Sequence, residues 1–217
     1  IRCWSGSPMG MVDGVDNTFD AAMFIGYHSA AGRNGNPLSH TFTTKTTSVK
    51  LNGMICSEFL LYSWACAMRG VPTVMLAGDQ MLIDDSQELH PALHTVAVKD
   101  GFGGSTRCMN PALACKKIKE QTEAALKEDL SKAGVTLPGE FVFEIDYKEH
   151  RDAVRRSFFP GCRLEGDRTV VMETRDFMDV LRDGAAIYVV GSNSVRTNAR
   201  RFNVMHDNYA DLDERRD

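Results

Sequence analysis

Apolar residues in this chain fall into short continuous runs over the first two thirds and into alternation afterwards. The run 21–25 (Ala-Ala-Met-Phe-Ile) stops at Gly26 and predicts a buried strand. Residues 41–53 are rich in threonine, predict one or two exposed strands, and close on the turn signal Leu51-Asn52-Gly53. The period then changes. Ile55, Phe59, Tyr62, Ala65 and Cys66 recur at helical spacing, predicting an amphipathic helix over 54–69. Ser57 or Asn52 caps it, and Gly70 with Pro72 ends it. Residues 73–77 give a second buried strand closed by Gly78-Asp79, and 81–90 a short helix. Residues 94–98 give a third strand, and Asn110-Pro111 opens a long helix to about Lys132. Further on, 141–147 alternates strictly and predicts a half-buried strand, followed by a helix over 148–158 and a strand over 169–173. Asp176 caps a helix from about 177, although 185–190 fits strand or helix on period alone.

Alternation of strand and helix predicts an α/β fold with a parallel-rich sheet flanked by helices and a smaller α+β C-terminal portion. The corresponding division is 1–137 for the α/β region, 138–190 for the smaller region and 191–217 for a weakly ordered tail. Residues 1–18, with Trp4, read as a connecting segment with a short strand at the start. The chain opens on Ile1 rather than Met, which leaves a processed chain or a piece of a longer one as readings.

Composition narrows the function classes. A net charge of −4 over 217 residues gives no bulk attraction to nucleic acid or an anionic membrane. No apolar run is long enough to span a bilayer. Six cysteines, at 3, 56, 66, 108, 115 and 162, form no CxxC pair, so most read as small buried hydrophobes in a reducing, cytoplasmic setting. The glycines at 101, 103 and 104 are not a P-loop, since no Gly-Lys-Ser/Thr follows.

The chemistry concentrates after the first strand. Ligands in open α/β sheets sit beyond the carboxyl ends of strands, which is where His28 falls. The turn-rich loop Gly32-Arg33-Asn34-Gly35-Asn36-Pro37 can fold back to bring His40 near His28, and Glu58 opens the next helix. Two imidazoles and a carboxylate are a ligand set favoured by catalytic zinc. Asp79, after its strand, either holds an imidazole tautomer or caps the following helix. His90, His94, His150 and His206 have no partner at a recognisable spacing and read as surface or packing residues.

The segments Met-Val-Asp-Gly-Val-Asp-Asn-Thr-Phe-Asp-Ala-Ala-Met-Phe-Ile-Gly-Tyr-His-Ser-Ala and Leu-Ser-His-Thr resemble the zinc-dependent D-aminopeptidases, also described as dipeptide transport proteins. Leu-Asn-Gly-Met-Ile-Cys-Ser-Glu and Val-Pro-Thr-Val-Met-Leu-Ala-Gly-Asp extend the resemblance, which continues weakly to about residue 190. It implies a two-zinc aminopeptidase acting through a zinc-activated water on short peptides with an N-terminal D-residue. It makes His28 and Glu58 zinc ligands and His40 the histidine of catalysis, in an α/β subunit of a homodecameric ring. The family's Asp-x-Glu pair and a further histidine precede the matched region and are not found ahead of His28; Tyr62 stands where Asn is expected. The resemblance thus implies a chain without the family's N-terminal third, binding zinc weakly alone unless a second chain supplies the missing ligands. The alternatives are an inactive relative that binds peptides or serves assembly, and an amide hydrolase with another small substrate.

Overall fold

A computed structural model describes residues 7–189, so the segments 1–6 and 190–217, with the predicted opening strand and the tail, lie outside the described residues. In chain order the elements are β1 (Ala22–Tyr27), β2 (Thr46–Leu51), β3 (Met54–Ile55), α1 (Glu58–Met68), β4 (Thr73–Asp79), α2 (Gln80–Leu89) and β5 (His94–Phe102). There follow β6 (Ser105–Cys108), α3 (Pro111–Ala125), β7 (Phe141–Tyr147), α4 (His150–Ser157), β8 (Cys162–Glu165), β9 (Thr169–Thr174) and α5 (Phe177–Val189). Strands and helices alternate as the hydrophobic pattern predicts, and they form two sheets.

The first sheet has the order β1-β4-β5-β6, with β1, β4 and β5 parallel and β6 turning back antiparallel. Its central strand β4 is buried at every position, as a continuous apolar run demands. Parallel register brings the carboxyl ends of β1, β4 and β5 to one edge of the sheet. The second sheet has the order β3-β2-β7-β9-β8 and is antiparallel throughout. Strands β2 and β7 pair across almost a hundred residues of chain (Val49 with Ile145, Leu51 with Phe143).

Helix α1 joins the two sheets. Residues 58–66 are buried on every side, and α1 packs on β1, β4 and α5. Its predicted amphipathic stripe is therefore wider than expected, because both sheets bring apolar partners to it. Ile55 does not belong to that stripe. Asn52 and Gly53 both take positive φ, forming the tight turn that joins β2 to β3, and the helix waits for Ser57 to cap Leu60.

Three other expectations need correction. The strand predicted as buried around residue 24 is the edge strand β1: Phe24 faces the core while Met23 and Ile25 are exposed. The reason is position, since α3 covers β4 and β5 but β1 has no described strand on its outer side. The strand predicted as exposed near residue 49 has Val49 and Leu51 fully buried, because β7 and β3 hold it inside the second sheet. The helix expected to reach Lys132 ends at Ala125; Asp129 instead caps a short 3₁₀ turn by accepting from Ser131 N–H. The segment at 185–189, open on period, is helical.

Candidate active site

Strand β1 ends through Gly26, whose φ of +87° a side chain rarely adopts, and Tyr27, and His28 follows directly beyond the sheet. What fixes the chain at that point is Asp79, at the end of neighbouring β4. This carboxylate is fully buried and spends both oxygens on the protein. Oδ1 accepts from Leu82 N–H, capping α2, and from the Ser29 hydroxyl; Oδ2 accepts from Ser29 N–H at 2.7 Å. Of the two roles expected for Asp79, the cap is present. The other takes a different form: Asp79 holds the backbone after His28 and not its ring.

The loop that follows is pressed into place. A Cβ at Gly35 would fall 2.3 Å from Ser29 Oγ and 2.5 Å from the Met81 Cβ. A Cβ at Gly101, on β5, would fall 2.2 Å from the Gly35 carbonyl oxygen. Arg33 reaches α2 through a two-pronged pair with Asp85, at 2.5 and 3.0 Å, and Asn34 accepts from Gly103 N–H. Burial pushes the Asp85 carboxyl up, against the pull of Arg33. Thr41, buried at the far end, accepts from Ala31 N–H and donates to the Cys56 carbonyl. The loop therefore folds back on itself.

That fold brings the two histidines together. Their rings stack with centroids 4.5 Å apart and planes 29° apart. His28 Nδ1 lies 3.0 Å from the Ser29 carbonyl oxygen, and His40 Nδ1 lies 2.6 Å from that of Leu38. A carbonyl only accepts, so each Nδ1 carries a proton, which in the neutral imidazole leaves the lone pair on Nε2. Glu58 completes the group. It opens α1, where the helix dipole favours a carboxylate, and is buried. Its Oε1 accepts from Phe42 N–H at 2.8 Å and lies 3.9 Å from His40 Nε2. His40 thus neighbours both His28 and Glu58.

Residues outside the predicted set surround this group. Ser29, Thr41 and Phe42 hold it but carry no motif, and Ser29 meets Asp79 fifty positions away. Cys56 lies beside Glu58; burial, then the carboxylate's charge, pushes its thiol far up, and burial takes Cys66 up to about 12. Both are inert buried thiols, whereas Cys108 and Cys115 are exposed, so fewer cysteines are core residues than expected. Tyr62 is buried with its hydroxyl against Gly10, where a Cβ would come within 2.5 Å. His94 meets partners far away in sequence, Gln121 on α3 and Glu128, both at 3.1 Å.

The donor types suit zinc: unspent imidazole nitrogens whose other nitrogen is anchored, and a carboxylate held by a backbone amide. In number they give part of a coordination sphere. Among the described residues, no group of three or more His, Cys, Asp or Glu side chains is placed to hold a metal ion by itself. Nor, among those residues, is any helix long and apolar enough to cross a membrane.

Comparison with known proteins agrees with this chemistry. The family model for D-aminopeptidases matches residues 1–183. A D-aminopeptidase of Bacillus subtilis (strain 168) is 29% identical over 192 residues, which are 88% of this chain and 69% of that protein. A solved structure, described as the Zn-dependent D-aminopeptidase DppA from Bacillus subtilis, a self-compartmentalizing protease, matches with a TM-score of 0.76. It is 27% identical, over 88% of this chain and 69% of that one.

Proposed function

This chain belongs to the D-aminopeptidase family, and on that premise we propose that it is a zinc-dependent aminopeptidase that cleaves short peptides with an N-terminal D-residue. The observation that carries the proposal is the stacking of His28 on His40 beside the buried carboxylate of Glu58. His28 Nε2 and Glu58 would hold the metal. Zinc, when bound, lowers the pKa of a coordinated water to about 7 and polarises a carbonyl oxygen.

His40 has a different task. Its Nδ1–H bond to Leu38 locks the ring, so Nε2 is the atom that takes and gives protons. Its side chain is partly open to solvent, whereas that of Glu58 is closed. The geometry therefore supports His40 as the group that hands a proton to the departing amine or stabilises the developing oxyanion. Assembly into a ring of identical subunits belongs to the same proposal; a relative described as self-compartmentalizing supports it.

The test compares three variants for bound zinc and for hydrolysis of a D-alanyl dipeptide against its L counterpart. His40→Ala is expected to lower turnover about 10²- to 10⁴-fold while retaining zinc. His28→Ala and Glu58→Ala are expected to lose both. Equal zinc loss in all three would show that the roles are misassigned. Zinc uptake by the unaltered chain without hydrolysis would favour a peptide-binding or assembly subunit.

A further inference from the structure

Phe42 combines three features found together nowhere else among the described residues. First, its φ is +61°, in the left-handed region that a residue with a bulky side chain seldom enters. The turn is closed by Thr43 N–H donating to the Thr41 carbonyl at 2.7 Å, a three-residue loop of the rare, strained hand. Second, the amide this turn presents donates to Glu58 Oε1, the oxygen that faces His40 Nε2. Third, the ring is buried and lies on Gly184 of α5, where an added Cβ would come within 2.6 Å of it. Only a glycine at 184 leaves room for the ring.

We propose that Phe42 is a positioning residue whose ring, seated on Gly184, holds a strained turn so that its amide aims the Glu58 carboxylate. The inference rests on the reading of Glu58 as a metal ligand given above. The logic is that of strain held by packing. A left-handed residue persists only where its surroundings over-determine it, and such residues gather at functional sites. Without the ring's seat, residue 42 relaxes to negative φ and its N–H turns away. One carboxylate oxygen then loses its donor and the side chain its single orientation. Helix α5, which supplies no candidate ligand, thereby reaches the site through one aromatic ring.

The test separates positioning from packing by comparing two truncations at one position. Phe42→Ala removes the ring and keeps the cost of positive φ. Phe42→Gly removes the ring and the cost together, so the backbone can stay as it is. Zinc alone is titrated against a chromophoric chelator, and exchange of the residue 42 amide is followed in the metal-free full chain. The expected result is a zinc Kd raised about 10-fold in Phe42→Ala and raised less in Phe42→Gly. Amide protection at 42 is expected to fall in Phe42→Ala and to survive in Phe42→Gly. Gly184→Ala, which leaves Phe42 in place, is expected to raise the zinc Kd as well.

A mere packing role makes glycine no better than alanine, since both lose the same ring and glycine adds unfolded-state entropy. Equal Kd values for the two truncations, or an unchanged Kd in both, would overturn the proposal. So would unchanged protection at 42 in Glu58→Ala, which removes the acceptor. Should Glu58→Ala leave zinc binding intact, the metal reading falls, while the exchange measurement still decides whether Phe42 and Glu58 are bonded.

Discussion

Two groups of ionisable side chains in this molecule are built on different terms. One is the set of Asp79, Glu58, His40 and His28 at the edge of the parallel sheet. The other is Arg156 of α4 with Asp183 of α5, against the antiparallel sheet. Both members of that pair are essentially inaccessible, and they meet in a direct salt bridge. Arg156 Nη2 also donates to the Asp183 backbone carbonyl at 2.6 Å, Cys162 Sγ lies 3.4 Å from Asp183 Oδ1, and the guanidinium sits 4.2 Å from the Phe159 ring centre. Here opposite charges consume one another and no path to solvent is left. At the sheet edge only Asp79 is consumed. The histidines keep an unspent nitrogen each, and His40 remains partly open. Burial of charge alone does not identify a site; unspent donor atoms facing an opening do.

The comparison predicts opposite outcomes for its two halves. Arg156→Ala leaves a buried, unpaired carboxylate and is expected to cost about 3–5 kcal/mol of stability, read from denaturant midpoints. Replacing both partners by apolar residues of similar size is expected to cost far less. In either case zinc affinity, measured where the variant remains folded, should move less than it does in Gly184→Ala. A larger shift in zinc affinity from Arg156→Ala would mean that the sealed pair feeds the site, and the contrast would collapse.

Asp79 sharpens the contrast because it belongs to the site yet behaves like a structural charge. Asp79→Ala removes a helix cap and strands the Ser29 donors, an expected cost of about 2–3 kcal/mol. Unlike Arg156→Ala, it should also weaken zinc binding by about 10-fold, since Ser29 directly follows His28. Asp79→Asn, which keeps an acceptor for the cap, should recover part of the stability. Stability lost with zinc affinity intact would remove Asp79 from the site's supporting frame.

How much of this was legible in sequence depends on the range of the interaction. Strand β4 announced itself because a fully buried strand is a continuous apolar run, and α2 because its cap stands next to it at Asp79. His28 and Glu58 could be picked out because strand ends and helix starts are visible locally, and His40 because the turn-rich loop before it can fold back. The β2–β7 pairing could not, since alternation in each strand says which faces are apolar and not which strand it meets. Edge position was hidden for the same reason: Met23 and Ile25 read as core, and only the sheet order shows that they lie outside it. Phe42 left no trace, because positive φ at a phenylalanine runs against its propensity and is imposed by Gly184, far away in sequence.

The smallest expected effect concerns Tyr147, which lines the sealed pair. Its hydroxyl is buried with no hydrogen-bond partner among the described residues, and burial pushes its pKa up to about 12, with Arg156 pulling the other way. The neutral phenol is thus favoured in the folded protein relative to the unfolded chain, where tyrosine ionises near 10. Its contribution to stability is complete below about pH 10 and disappears as pH rises through about 12. The Cys66 thiol, also raised to about 12, adds to the same alkaline loss from about pH 9 upward. Tyr147→Phe removes an unpaired hydroxyl without a change of shape, so it should leave neutral-pH stability equal or raised by up to about 1 kcal/mol. It should also flatten the fall between about pH 10 and 12 while the Cys66 part persists. Thermal unfolding of both proteins across that range measures this directly. An unchanged alkaline limb would mean that Tyr147 reaches solvent on ionising, and that the cluster around Arg156 is not sealed in the way its partner at the sheet edge is open.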